Sequence, residues 1–78
     1  MDNVDMQSLS LEINELSKQM VQLNAVLNKV YYAKELTNGI NDLEMLKSIN
    51  VKFDDLINEL EDQEMSIGIR LQTLKGEI

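Results

Sequence analysis

The sequence predicts an all-α fold: an antiparallel hairpin of two long amphipathic, coiled-coil-like helices that dimerises into a four-helix bundle. Three observations carry this. A heptad stripe runs through the first half of the chain, a cluster of turn formers interrupts it, and the stripe resumes in a different register. The 78 residues form one domain over positions 1–78, and a domain of this size buries only about 60–65 % of its unfolded surface. There is no Cys and no His, so neither disulfides nor a usual zinc site can reinforce it, which leaves self-association as the ordinary remedy.

In the first segment Leu9, Ile13, Leu16, Met20, Leu23, Leu27 and Val30 follow one another in alternating steps of four and three, the spacing that lines one face of a coiled-coil helix. No proline interrupts the chain. With Asp2 and Asp5 at its front and Lys29 and Lys34 near its end, both favourable to the helix dipole, the segment reads as a helix over about 5–37. Thr37-Asn38-Gly39-Ile40-Asn41-Asp42 then supplies turn formers, and a left-handed residue at Asn38 or Gly39 would end the helix in a turn over about 38–41.

Asn41 stands three residues before Glu44 in a capping-box arrangement, so a second helix is expected over about 42–75, with Arg70 and Lys75 near its end. Its stripe is Leu43, Leu46, Asn50, Phe53, Ile57, Leu60, Glu64, Ile67, Leu71, Leu74 and Ile78, with two polar residues on the seam. Continuing the first frame would put an a position at 41, whereas the second stripe puts it at 43. A two-residue offset is neither the stutter nor the stammer that a continuous coiled coil absorbs. Ser48 to Phe53 alternates β-branched and polar residues, which marks a weaker helical stretch with a kink or local loop near Asn50, and Gly68 raises a smaller version of the same doubt.

A fold-back at Asn38-Gly39 would set opposite each other residues whose numbers sum to about 79. Glu64 would then face the region of Glu15 and Leu16, with no cation of its own. The facing stretches 23–36 and 43–56 both have widened apolar faces, since Val26 and Ala33 flank one stripe and Ile49 and Leu56 the other. A lone hairpin cannot cover such stripes, and each large apolar side chain left in water forgoes about 1.5–3 kcal/mol. The expected oligomer core is Leu16, Met20, Leu23, Leu27 and Val30 with Leu46, Ile49, Phe53, Leu56, Ile57 and Leu60. Around the first stripe Ser10, Ser17, Asn24, Glu12, Gln19 and Val26 are mostly uncharged, as suits a bundle better than a two-stranded coil.

Catalytic motifs are missing. Without His and Cys the nucleophile and base constellations that use them are excluded, and so is the Glu-x-x-His pair of di-iron bundles. A calcium loop with Gly39 at its sixth position would begin at Lys34 and end at Met45, neither a suitable ligand. The expectation is therefore a non-enzyme with no cofactor and no metal. The net charge of −7 and the scattered cations disfavour direct nucleic-acid binding. An acidic start and the lack of any long apolar run point away from export or membrane insertion, and the lack of Cys fits the reducing cytoplasm.

The dense charge feature is Asp54, Asp55, Glu59, Glu61, Asp62 and Glu64, within which Asp55, Glu59 and Asp62 share a helix face. It reads either as a solvated outer surface or as a docking ridge for a basic protein. Tyr31 and Tyr32 would cover the loop end of the core, yet adjacent helical residues diverge by about 100°, so at least one looks outward as a candidate interface anchor. Asn50 and Glu64 either fix register and oligomer state or leave a weak place in the core for a partner helix.

These observations favour a protein–protein interaction module: a small acidic adaptor, assembly subunit or chaperone that binds itself as a homodimer and a basic or amphipathic-helical protein. A phosphate-mimicking inhibitor of a nucleic-acid-binding protein and a structural coiled-coil segment of a larger complex are the alternatives.

Overall fold

The computed structural model describes residues 3–77 as an all-helical two-helix hairpin. Helix α1 spans Asn3–Leu36, a short 3₁₀ turn follows at Thr37–Gly39, and helix α2 spans Leu43–Gly76. The rod measures 62 × 15 × 13 Å between Cα atoms, in keeping with two helices of 34 residues laid side by side. Asp2 and Ile78, assigned above to the first helix's front and the second stripe's end, lie outside the described residues.

The first helix ends by tightening, and this differs from the left-handed ending expected at Asn38 or Gly39. No described residue has a positive φ. Instead the Thr37 hydroxyl donates to the Lys34 carbonyl at 2.5 Å, and the Ile40 amide donates to the Thr37 carbonyl at 2.9 Å. A 3₁₀ turn is a common way to satisfy the last helical carbonyls. Ile40 then turns extended, with φ −78° and ψ 122°, and carries the chain across.

The second helix starts one residue later than the capping-box spacing implies. Its cap is Asp42, whose Oδ1 accepts from the amides of Glu44 and Met45, both at 3.1 Å. Asn41 is therefore outside the helix and forms no box with Glu44. The charge of Asp42 favours this choice, because a carboxylate at the cap also meets the positive end of the helix dipole. Asp42→Ala is expected to lower stability by about 1 kcal/mol, whereas Asn41→Ala should leave a thermal melt nearly unchanged. Equal losses in the two variants would refute the assignment.

The strand-like stretch around Asn50 is helical, as is Gly68, because α2 continues without interruption from Leu43 to Gly76. Local β-propensity over six residues is overridden by an apolar seam to pack against. Leu46, Phe53, Ile57 and Leu60 all turn inward, and Ile57 is the most buried of the described residues at 5 % exposure. Leu27 and Leu74 are the other buried apolar residues among those described.

The pairing of the helices is displaced from the expected one. Glu12 bonds Arg70, Lys34 bonds Asp54, and a Cβ at Gly68 would touch Met20, so facing numbers sum to between 82 and 88 rather than about 79. The 3₁₀ turn explains the shift. It prolongs α1 by three residues before the chain crosses, which moves the fold-back point from Asn38-Gly39 to the segment 40–42. Leu27 and Ile57 then lie at one level, and Glu64 lies level with residues near Met20 and Leu23 instead of Glu15 and Leu16.

Candidate protein-interaction surfaces

The hairpin covers little of its apolar surface. Of the expected oligomer core, Leu27 and Ile57 are buried; Leu16, Met20, Leu23, Val30, Leu46, Ile49, Phe53 and Leu60 are half-buried; Leu56 is exposed in the single chain. Heptad position explains the gradation. Leu27 and Ile57 point straight at the facing helix, whereas Val26, Ile49 and Leu56 stand on its shoulder, where one neighbouring helix reaches only part of each side chain.

That shoulder forms two adjoining shallow grooves. Val26, Val30, Ala33 and Phe53 line the first, and Ile49, Phe53 and Leu56 the second, with Phe53 shared between them. Lys29 and Lys52 border them. Further toward the open end the same side carries Gln19, Leu23, Gln63 and Ile67 around a third depression, and beyond it the Glu12–Arg70 pair. Arg70 brings its Nε to 3.0 Å from the Glu12 carboxylate and adds a second bond from Nη2.

The other shoulder is polar. Lys34 Nζ reaches Asp54 Oδ1 at 2.6 Å, an ion pair partly open to water and so worth at most about 1 kcal/mol. Asp54 is thus neutralised by a cation from the other helix, which the run of carboxylates alone does not suggest. Asp55, Glu59, Glu61 and Asp62 are all exposed, Asp55 and Asp62 on the back of α2, Glu59 beside them and Glu61 on the shoulder with Asp54. Among the described residues no group of three or more potential ligands is close enough to hold a metal ion.

Tyr31 and Tyr32 are 44 % and 62 % exposed, so neither closes the loop end of the seam. Thr37 and Ile40 are the half-buried residues there. One helical step separates the two rings: Tyr31 lies on the polar shoulder, Tyr32 on the back of α1. They contribute apolar surface with a polar tip to two different sides of the rod.

On the seam, Asn50 and Glu64 are half-buried. The Glu64 Oε1 atom is shielded from solvent and has no hydrogen-bond partner among the described residues. A shielded carboxylate oxygen without a donor weakens the packing of its layer.

Among the described residues, no helix is long and apolar enough to cross a membrane. No protein-family model, curated protein or solved structure matches the chain.

Proposed function

We propose that this chain is a non-enzymatic protein–protein interaction module, an acidic helical adaptor, assembly subunit or chaperone that acts by oligomerising and by binding a partner protein along its helices. The observation that supports this best is the disproportion between covered and uncovered apolar surface. Three apolar residues are buried, while Val26, Leu36, Met45 and Leu56 stand between 42 % and 63 % exposed around the loop half of the rod. Contiguous apolar surface of this kind marks a place where another protein sits. The partner beyond the homodimer is a basic or amphipathic-helical protein, attracted by the carboxylates Asp55 and Asp62 on the back of α2 and Glu59 beside them.

Light scattering at micromolar concentration tests self-association. A mass of twice 8.9 kDa or a higher multiple is expected, and a well-folded monomer would overturn the reading. For the acidic back, Asp55→Lys with Asp62→Lys should leave helicity unchanged and reduce capture of the natural partner at least tenfold. Undiminished capture would remove the ridge from the proposal.

A further inference from the structure

The shoulder that carries the Glu12–Arg70 pair is built in layers. In steps of seven it presents Glu12, Gln19, Val26 and Ala33 on α1, and the corresponding positions of α2 run in the opposite direction. From the loop outward the layers are Ala33 with Ile49, Val26 with Leu56, Gln19 with Gln63, and Glu12 with Arg70. Only the last pair is a direct bond within the hairpin. The side is thus apolar, then amide, then ionic, over the length of the rod.

We propose that this shoulder is the contact between two copies of the chain, joined with their loops at the same end as a four-helix bundle in which every neighbouring helix is antiparallel. The proposal rests on the self-association argued above and specifies its face and order.

Charge is balanced within the layers of this face. Between the Ala33–Ile49 layer and the Glu12–Arg70 layer, Glu12, Glu15 and Glu59 on the shoulder and the adjoining outward positions are matched by Lys29, Lys52 and Arg70, while Asp42 and Glu77 add carboxylates just beyond the two ends of the layers. These layers of two copies therefore meet without net repulsion. The opposite shoulder itself presents Ser17, Asn24 and Tyr31 beside Asp54, Glu61 and Gly68, and its apolar side chains Val21, Val51 and Met65 stand on the adjoining outward positions.

Self-complementarity identifies the occupant as a second copy. A two-fold axis along the rod puts α1 of one copy beside α2 of the other, so each layer meets its own kind. Val26 lies against Leu56 of the second copy, and Gln19 meets Gln63 with donor and acceptor on both sides. Glu12 and Arg70 form a layer of four balanced charges toward the open end. Reversing one copy over the full length would instead place the apolar layers on Glu12 and Arg70, which is costly. The area is sufficient, because a side of a rod 62 Å long and 15 Å wide offers on the order of 800 Å², the share per partner of a specific interface.

A charge swap tests the face. One full-length variant carries Gln19→Glu with Gln63→Glu, a second carries Gln19→Lys with Gln63→Lys, and circular dichroism checks that both remain helical. Each alone should dissociate at least tenfold more readily than the wild type, and mixing them should restore a dimer containing one of each by native mass spectrometry. If both variants stay dimeric while Asn24→Glu with Gly68→Glu on the opposite shoulder dissociates, the face is wrong and self-association stands. A monomeric wild type overturns both.

The order is read separately from spin labels at Asn38→Cys, since the chain has no other Cys. Loops at one end place the labels within about 30 Å, some three helix spacings. A separation approaching the 62 Å length of the rod would overturn the shared-end order.

Discussion

Ile57→Ala is expected to lower unfolding free energy by about 2–5 kcal/mol, the largest loss at any single position of the hairpin. Ile57 is the most buried side chain described and shares its level with Leu27 at the centre of the seam. Truncation removes three methyl or methylene groups from contact, and the facing leucine cannot move inward without dragging its own helix. A domain of this length has roughly 4–12 kcal/mol of stability in total, so the variant forfeits a large fraction of it. The matched control is Val51→Ala, on the outside of the same helix at 59 % exposure, which should cost no more than about 0.5 kcal/mol. Urea unfolding followed by circular dichroism at fixed protein concentration reads both, because association makes the midpoint concentration-dependent. Comparable shifts for the two variants would mean that the seam is not the core.

The positions of such residues are legible in the sequence because heptad spacing is a property of each helix alone. Leu27 and Ile57 stand out in their stripes without knowledge of how the helices meet, and so does Leu74, which lies on the stripe although outside the expected bundle core. The two-residue change of register likewise reports a fold-back whatever its geometry. What the stripe does not contain is the path of the loop. Asn41 and Asp42 are both competent caps one residue apart, and Gly39 permits a left-handed turn without requiring one; a Cβ there would meet nothing within 4 Å. The choice falls to interactions of a few tenths of a kcal/mol to about 1 kcal/mol at the cap and the helix end.

That small choice propagates. Closing α1 with a 3₁₀ turn shifts every cross-hairpin pair by several residues, which is why the Glu12–Arg70 and Lys34–Asp54 pairs and the surroundings of Glu64 could not be read from spacing. The candidate interaction surface divides in the same way. Its apolar members Val26, Ala33, Ile49 and Leu56 are visible as a widening of each stripe, because width is again a property of a single helix. Their alignment into layers with Gln19, Gln63 and the terminal ion pair depends on the register of the two helices and becomes visible only with the fold.

Glu64→Leu is expected to raise stability by about 1–3 kcal/mol, from the donor-less shielded oxygen it removes and the apolar area it adds to the seam. Glu64 Oε1 has no donor among the described residues, and the neighbouring seam positions Leu60, Ile67 and Leu71 are all apolar. Leucine continues their stripe. The residue is only half-buried, which keeps the gain well below that of filling a closed core. Glu64→Gln supplies the discriminating comparison: it retains the shape and the polar oxygen while removing the charge, so it should gain less than half as much. Chemical denaturation measures the stability and light scattering the mass of each variant. If the leucine variant gains stability and keeps the wild-type mass, the glutamate is a weak place in the seam. If the gain comes with a larger assembly, the shielded carboxylate limits the number of chains, as a polar seam residue does in other coiled coils at a cost in stability. A loss of stability in the leucine variant would contradict the placement of Glu64 on the seam, since a residue facing open water gains nothing from an apolar replacement and a residue in a formed ion pair loses by it.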